Sequence, residues 1–529
     1  MRTLLLLIAS GSAAMALAAD CESLASLKLE NTTVTLAQMV AAGAFTPPRS
    51  ALPAINTNRS AASYKEVPAF CRVQGIIKPA PDSEIQFEVW LPASGWNGKY
   101  FGIGNGGFGG SVQYDLLGAS VKNGYASSST DTGHEGTPRN ADWALNHYDR
   151  IIDYAYRSIH ETAVKSKSVI QKYYGGNPKH SYFAGCSNGG RQALLEAQRY
   201  PHDYDGIIAG AAVSYWTHNV AGFAWDQQAL DGAQIPASKM QALQNATLAA
   251  CDAKDGLKDG VIDQPNKCHF DPSVLLCKGA DSDACFTGPQ VRALQKIYDG
   301  PKNSKGPLFP GYLPGGEDGP SGWNRYITGA QPDQGAYALG FFGDMVFSKA
   351  DWDYKTFDWD RDVKMIDDKF AASFNAVNPH LKAFKDRGGK LVIYHGWSDA
   401  AIAPTNAIDY YESVKAKMGR KATAAFAQLY MVPGMQHCGN GPGPNSFGTN
   451  PSLLASDAQH SLTIALDQWV DKGSKPTRII ATRYKTGANP ASGVERTRPL
   501  CPYPQVARYK GAGSTDEAIN FTCAVPDSK

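Results

Sequence analysis

Short apolar strands alternate with helices in the middle of the chain, and this order constrains the fold more than any other feature. Residues 181–184 and 206–213 are short apolar runs that predict strands. Between them, a glycine turn at 185–190 leads into a helix that ends before Pro201. A strand, a helix and a second strand in this order are typical of a parallel sheet covered by helices.

The same alternation continues on both sides of this stretch. Strands are predicted at 84–91, 99–104, 125–130, 390–394 and 425–431, and helices at 151–174, 403–418 and 457–472. From about 215 to 362 the pattern fades into cysteine-bounded loops. We interpret the chain as an α/β core with an insertion at the carboxyl edge of its sheet. The predicted units are a signal peptide (1–19), a first core part (20–215), a lid (216–380) and a second core part (381–529).

The amino terminus has the features of an export signal. Arg2 is followed by an apolar stretch that reaches Ala19, and small residues at 16–19 offer a cleavage site. Gly11 and Ser12 interrupt the stretch, which favours a cleaved signal over a membrane anchor. No later segment is apolar over enough residues to span a membrane. We therefore expect a secreted or periplasmic protein.

Composition excludes two further classes of protein. The chain is 43% apolar and only 19% charged, which predicts a packed core and excludes dominant disorder. Its 51 basic and 49 acidic residues give a net charge of +2 without a basic block, so we expect no nucleic-acid partner. The pattern indicates a small-molecule substrate and no particular oligomeric state.

Ten cysteines in an exported chain favour disulfides over metal or redox chemistry. No pair has the Cys-x-x-Cys spacing of a zinc site. Short separations predict three local bonds, Cys251–Cys268, Cys277–Cys285 and Cys501–Cys523. Spacing alone does not pair the remaining four, which are Cys21, Cys71, Cys186 and Cys438.

A nucleophile is predicted at the turn between strand and helix. Residues 185–189 fit the pattern Gly-x-Ser-x-Gly, in which a sharp turn exposes the hydroxyl of Ser187. In this architecture an acid and then a histidine follow the serine, each after a strand. Asp399 and His437 occupy these positions. His395 competes as the base but comes before Asp399, in the wrong order.

The cysteines beside two of these residues support the same grouping. Cys186 precedes Ser187, and Cys438 follows His437. A disulfide between them would bring nucleophile and base together, because it holds the two Cα atoms about 4.4–6.8 Å apart. The alternative is two buried free thiols.

Acyl transfer also needs hydrogen-bond donors for the developing oxyanion. The backbone amide of Asn188, directly after the serine, is one predicted donor. A second is expected from the glycine loop at 104–110, with Gly106 or Gly107 as the candidate. A phosphate-binding loop is the alternative, but the Lys-Ser/Thr ending of such loops is missing.

An aspartate-rich loop at 251–263 predicts a calcium site. The carboxylates of Asp252, Asp255 and Asp259, with the carbonyls of Leu257 and Val261, offer the oxygen ligands that Ca²⁺ prefers. The spacing differs from that of an EF-hand, and an exposed acidic turn is the alternative.

Together these motifs resemble the tannase and feruloyl esterase family. The resemblance covers nearly the whole mature chain and includes residues 185–190, Asp399, His437-Cys438, the 252–261 loop and the Ser-Ser-Ser-Thr-Asp-Thr-Gly-His run at 127–134. It implies an α/β-hydrolase core, a lid with structural calcium and a catalytic triad of Ser187, His437 and Asp399. It also implies the disulfides Cys186–Cys438 and Cys21–Cys71, and it supports the three local pairs.

Members of this family cleave esters of aromatic acids; they include tannases, feruloyl esterases and a terephthalate monoester hydrolase. We therefore expect a secreted serine carboxylesterase of the feruloyl esterase type that forms an acyl-enzyme. A tannase or terephthalate monoester hydrolase is the alternative within the family, and an exported peptidase or acyltransferase is an alternative with the same triad. A catalytically silent binding protein is the alternative outside enzymes. The candidates for an aromatic acyl pocket are Trp216, Trp225, Trp323, Tyr326, Tyr337, Phe341, Phe342 and Trp352.

Overall fold

A computed structural model describes residues 20–48, 61–453 and 457–526. The predicted signal peptide lies outside the described residues. The strands are β1 (Thr32–Val40), β2 (Phe70–Ile77), β3 (Ile85–Pro92), β4 (Lys99–Ile103), β5 (Ala126–Thr130), β6 (His180–Cys186), β7 (Gly206–Gly210), β8 (Lys302–Asn303), β9 (Gly306–Pro307), β10 (Lys390–Gly396), β11 (Ala427–Val432), β12 (Ile479–Tyr484), β13 (Val494–Leu500), β14 (Val506–Tyr509) and β15 (Phe521–Ala524).

A nine-stranded sheet forms the centre, in the order β1-β2-β3-β5-β4-β6-β7-β10-β11. From β5 to β11 neighbouring strands run parallel, whereas β1, β2 and β3 join antiparallel at the other end. The two short pairs β12–β13 and β14–β15 follow near the carboxyl terminus. This mixed sheet with flanking helices confirms the predicted α/β-hydrolase fold. Because the parallel strands share a direction, their carboxyl ends meet at one edge.

Helices cover the sheet and build most of the insertion. They are α1 (Tyr114–Lys122), α2 (Tyr148–Ile152), α3 (Ser158–Tyr174), α4 (Asn188–Arg199), α5 (Trp216–Leu230), α6 (Met240–Cys251), α7 (Gly288–Asp299), α8 (Asp333–Ala338), α9 (Arg361–Ile366), α10 (Ala372–Phe374), α11 (Lys382–Asp386), α12 (Thr405–Met418), α13 (Arg420–Phe426) and α14 (Leu462–Lys472). A π-helical turn at Asp153–Arg157 joins α2 to α3, so the helix predicted at 151–174 is continuous. Within the described ranges, none of the helices combines the length and apolar character needed to cross a membrane.

The insertion is more helical than the sequence pattern indicates. The stretch predicted as loops contains α5, α6, α7, α8 and α9. The longest of them, α5, buries twelve of its fifteen residues, polar ones such as Asn219 and Asp226 among them. A helix that is buried on nearly all sides shows no alternation of apolar and polar faces, so the periodic signal was missing.

The ten cysteines form five disulfides. The three local bonds have the predicted partners, and the other two are Cys21–Cys71 and Cys186–Cys438, as the family resemblance implies. Cys21–Cys71 fastens the amino-terminal segment to β2. These crosslinks restrict the unfolded chain and so stabilise the folded one.

The polar run after β5 ends in a buried histidine. The ring of His134 stacks on that of Trp143 at a centroid distance of 3.6 Å, and the residue is only 4% exposed. No side chain or backbone group in the described ranges forms a hydrogen bond with either of its ring nitrogens. Burial lowers the pKa of His134 from 6.5 to about 3, because the charged ring would lose its hydration.

Candidate active site

Ser187 occupies a sharp turn between β6 and α4. Its backbone has φ 64° and ψ −125°, a conformation that side-chain-bearing residues rarely adopt. Glycines make the turn possible, since a Cβ on Gly185 would lie 2.4 Å from the carbonyl oxygen of Gly189. A Cβ on Gly104 would likewise come within 2.9 Å of the Gly189 Cα. The turn therefore lies directly against the glycine loop after β4, as the predicted nucleophile requires.

Asp399 and His437 are hydrogen-bonded to each other at the ends of β10 and β11. The distance from His437 Nδ1 to Asp399 Oδ2 is 2.8 Å. Asp399 is buried, and its Oδ1 accepts hydrogen bonds from the backbone N–H groups of Ala401 and Ile402 at 2.8 and 2.9 Å. With the Nδ1 proton donated to the carboxylate, Nε2 of His437 is left as the acceptor for a substrate or serine proton.

His395, the competing base of the sequence analysis, contacts the acid instead. Its Nε2 lies 3.2 Å from Asp399 Oδ2 and 3.1 Å from the carbonyl oxygen of Ile402, and the residue has no exposed surface. Burial opposes the charge of Asp399, but His437 and His395 together lower its pKa below the usual range. The acid therefore has two histidine neighbours, of which His437 belongs to the loop crosslinked to the serine turn.

A disulfide connects the serine turn to the histidine loop. Cys186 and Cys438 are bonded, with their Cα atoms 6.0 Å apart and 252 positions apart in the chain. Each cysteine is the immediate neighbour of a predicted catalytic residue, Ser187 or His437. The crosslink thus holds these two segments side by side.

The glycine loop after β4 retains two unused backbone donors. Its N–H groups that donate hydrogen bonds are those of Gly104, Asn105, Phe108, Gly109 and Gly110. Elsewhere in the described chain, no acceptor is hydrogen-bonded to the N–H of Gly106 or Gly107. Asn188 begins α4, where a backbone N–H has no partner within the helix. In the described chain, these three amides, two in the glycine loop and one directly after Ser187, have no hydrogen-bond acceptor.

A lid segment anchors both loops that carry the acid and the base. The side-chain amide of Gln436 donates to the carbonyl oxygen of Asp318 at 2.6 Å, and its oxygen accepts from the N–H of Ser321 at 3.1 Å. Ser398 donates through Oγ to the carbonyl oxygen of Gly315 at 2.8 Å. Sequence reasoning missed Gln436 and Ser398, although each directly precedes a predicted catalytic residue.

The acidic loop brings together the donor types that a hard cation prefers, but in the described chain its three carboxylates do not converge on one point, and each accepts hydrogen bonds instead. The carboxylate of Asp252 accepts a hydrogen bond from the backbone N–H of Gly260 at 3.0 Å. The carboxylate of Asp255 accepts one from the backbone N–H of Asp263 at 2.8 Å. Burial, reinforced by the neighbouring carboxylates, raises the pKa of Asp255 to about 6. In the described chain, no hydrogen bond reaches the carbonyl oxygens of Leu257 and Val261, the other predicted ligands.

Asp259, the third predicted carboxylate ligand, forms ion pairs with two arginines. Its Oδ2 accepts from Arg498 Nη2 at 2.6 Å and lies 3.4 Å from Arg496 Nη1. The loop itself packs behind the histidine loop, because a Cβ on Gly434 would lie 3.0 Å from Val261 Cγ1. The predicted metal loop is therefore distant in sequence from the catalytic loops but adjacent to one of them in space.

Three of the eight lid aromatics contact the loops of the site. The ring of Tyr326 meets that of His437 edge to face, with centroids 5.4 Å apart. Tyr337 packs at 5.4 Å on Phe108, which belongs to the glycine loop. Trp216 also packs on Phe108, at a centroid distance of 6.2 Å. The other candidates build the lid core or pack elsewhere, namely Trp225, Trp323, Phe341, Phe342 and Trp352.

Known proteins share this architecture over nearly the whole chain. The family described as tannase and feruloyl esterase matches residues 71–524. An uncharacterised esterase of Xanthomonas campestris pv. campestris is 42% identical over 98% of this chain and 92% of its own length. The mono(2-hydroxyethyl) terephthalate hydrolase of Piscinibacter sakaiensis is 32% identical over 88% of this chain and 86% of its own.

A solved structure agrees with these sequence matches. The crystal structure of feruloyl esterase B from Aspergillus oryzae superposes with a TM-score of 0.86 and 29% identity, covering 95% of this chain and 99% of that one. The match includes both the core and the insertion, since it leaves only one residue in twenty outside. The chain therefore belongs to the tannase and feruloyl esterase family, and it is a carboxylic ester hydrolase.

Proposed function

We propose that the protein is an exported serine esterase that hydrolyses esters of aromatic acids through an acyl-enzyme. The observation that carries this proposal is the hydrogen bond from His437 to Asp399 on a loop that is crosslinked to the Ser187 turn. A nucleophile in a strained turn, a base beside it and an acid behind the base are the parts that acyl transfer requires.

Each residue has a distinct role in this mechanism. His437 Nε2 takes the proton of Ser187 as the hydroxyl oxygen attacks the ester carbonyl. Asp399 holds the imidazole in the required tautomer and stabilises its protonated form. The N–H groups of Asn188 and of Gly106 or Gly107 bind the developing oxyanion. The alcohol leaves with a proton from His437, and His437 then activates water, which releases the acid and restores the serine.

The aromatic part of the substrate is inferred from the family and from one contact. The names of similar proteins include a feruloyl esterase and a terephthalate ester hydrolase, so the acids in common are aromatic. The ring of Tyr326 beside His437 offers an aromatic surface for such an acyl group. We favour a hydroxycinnamic ester, with gallate and terephthalate monoesters as the alternatives within the family.

We also propose structural calcium in the acidic loop. Asp252, Asp255 and Asp259, with the carbonyls of Leu257 and Val261, would hold the ion. Because the Asp259 carboxylate already accepts a hydrogen bond from Arg498, Asp252 and Asp255 would be the main carboxylate ligands. The ion would neutralise clustered carboxylates and stiffen the loop that packs behind Gly434, and no catalytic step passes through it.

A substrate panel with the Ser187→Ala variant tests the esterase proposal. We expect the wild type to hydrolyse methyl ferulate, methyl gallate or mono(2-hydroxyethyl) terephthalate, and to leave a matched peptide amide intact. Ser187→Ala should lose about 10⁴- to 10⁶-fold in kcat and keep its folded stability. Mass spectrometry of the wild type, quenched during turnover, should find the acyl group on the peptide that contains Ser187.

Four outcomes would contradict parts of this proposal. Near-normal turnover by Ser187→Ala removes the serine from its role. Cleavage of the amide as fast as the ester makes the protein a peptidase. Tight binding of the aromatic acids without any hydrolysis makes it a silent binding protein. Detection of the mature protein in the cytoplasm alone contradicts export.

A further inference from the structure

One turn beyond Ser187, helix α4 carries an arginine that is completely enclosed. Arg191 has no exposed surface. Its guanidinium carbon lies 4.9 Å from the ring centre of Trp216 and 5.4 Å from those of Tyr154 and Phe374. The three rings form an aromatic cage around a permanently charged group. Cation–π contacts of this kind compensate only part of the lost hydration.

The charge of Arg191 has no counter-ion. Its N–H groups donate to neutral oxygens, the backbone carbonyls of Ala155 at 2.8 Å and Phe374 at 3.2 Å and the side-chain Oδ1 of Asn188. No carboxylate in the described chain forms an ion pair with it. Burial lowers its pKa to about 10, so the group remains charged at neutral pH. Uncompensated buried charges are rare because they destabilise the fold.

The arginine is joined to the residue that follows the nucleophile. Nε and Nη2 both donate to Oδ1 of Asn188, at 2.9 and 2.7 Å. The backbone N–H of Arg191 donates to the carbonyl oxygen of Ser187 at 3.1 Å. Side chains on a helix lean toward its amino terminus, which places this positive charge beside the amide of Asn188.

We propose that Arg191 is a positioning residue whose charge is balanced only when the oxyanion forms. It fixes Asn188 through the two hydrogen bonds and adds a positive potential at the amino-terminal end of α4. An interaction that is strong in the transition state and weak with the neutral ester raises kcat and leaves substrate affinity unchanged. This inference rests on the proposed acyl-transfer function of Ser187.

The expected effect is measurable. For unit charges about 8 Å apart in an effective dielectric of about 20, the attraction corresponds to about 30-fold in rate. The alternative is that Arg191 only fills space and satisfies carbonyl oxygens. That role would appear as lost stability, with equal catalysis per folded molecule.

The test compares Arg191→Met, which removes the charge, with Arg191→Lys, which keeps it. Each is assayed for kcat and KM with an aromatic methyl ester and for inhibition by an aryl boronic acid. Boronic acids form a tetrahedral anion on a nucleophilic serine, so their affinity reports stabilisation of negative charge. Binding of the intact ester is measured by calorimetry in the Ser187→Ala background, where no reaction occurs.

We expect Arg191→Met to lose about 30-fold in both kcat and boronate affinity, with ester binding unchanged within threefold. Arg191→Lys should stay within about fivefold of the wild type in both. Glu196→Gln, a buried change one to two turns further along α4, is the control and should leave both constants unchanged.

Two results would overturn the inference. One is wild-type kcat and boronate affinity per folded molecule in Arg191→Met. The other is a 30-fold loss of kcat and boronate affinity in Arg191→Lys. If Arg191→Met does not fold, the Arg191→Lys variant alone decides the test. A wild type that neither hydrolyses esters nor binds the boronate contradicts the proposed function itself, so the two failures are distinguishable.

Discussion

His395 approaches the same oxygen of Asp399 that receives the hydrogen bond of His437. The two nitrogen-to-oxygen distances are 3.2 and 2.8 Å, both to Oδ2. Since Oδ1 is held by two backbone N–H groups, the carboxylate is fixed from every direction that a hydrogen bond can use. The carboxylate that orients His437 is therefore itself held by a second histidine, which is fully buried.

Replacement of His395 should slow catalysis through the acid. We expect His395→Phe to lower kcat about tenfold with KM nearly unchanged, because Asp399 would hold the imidazole less firmly. His437→Ala, the reference for loss of the base, should cost at least 10⁴-fold. Steady-state kinetics of the two variants measure the difference. Equal losses in both would place His395 in the reaction itself.

Loss of the Cys186–Cys438 bond should lower stability and turnover together. The bond closes a loop of 252 positions, for which the chain-entropy model predicts about 5–6 kcal/mol of stabilisation before any strain in the folded state is subtracted. We expect the double serine variant to have a lower melting temperature and a kcat reduced at least tenfold. The double serine variant of the Cys277–Cys285 bond, which spans 8 positions in the lid, is the control and should keep its kcat. Mass mapping that finds Cys186 and Cys438 as free thiols in the secreted protein contradicts the role of the bond.

Removal of calcium should destabilise the lid before it affects the serine. A ligand at 100 times its Kd stabilises the folded state by about 2.7 kcal/mol, so a chelator should lower the melting temperature. Asp255→Asn should lower it similarly and make it insensitive to chelator. Labelling of Ser187 by a small fluorophosphonate should survive better than hydrolysis of a bulky ester. Metal analysis without calcium, together with an unchanged melting temperature in chelator, reduces the loop to an acidic turn.

Stability should fall in mild acid because of His134. The folded pKa of about 3 lies below the ordinary 6.5, so the unfolded chain binds a proton that the folded chain rejects. Stability from this residue is complete above pH 6.5 and is lost at up to about 1.4 kcal/mol per pH unit as the pH falls toward 3. His134→Phe, which keeps the stack on Trp143, should flatten this dependence.

Melting temperatures at pH 7.5 and 4.5 check the effect of His134. The wild type should lose more than His134→Phe between the two values. His380→Asn changes an exposed histidine and should behave like the wild type. Parallel curves for all three proteins would show that another group governs the acid limit.

The sequence pattern predicts seven of the nine strands of the central sheet and misses β1 and β2 at its antiparallel end. The order of Ser187, Asp399 and His437 along the chain predicts them as a catalytic triad, because parallel strands bring the loops that follow them to one edge of the sheet. The bond between Gln436 and Asp318 joins segments 118 positions apart, and no local pattern predicts which lid carbonyl a glutamine will meet. Helix α5 was missed for a different reason, since burial on nearly all sides removes the amphipathic signal.

The long disulfide also sets the point in synthesis at which the Ser187 turn and the His437 loop can be joined. The serine turn is made early, whereas Cys438 follows it by 252 positions, and the proposed base immediately precedes that cysteine. A nascent chain that has passed the serine therefore has no partner for it, and the crosslink requires an oxidising compartment to form. Under the proposed export, the crosslink between the two segments would therefore form only after translation has passed Cys438 and the chain has reached an oxidising compartment.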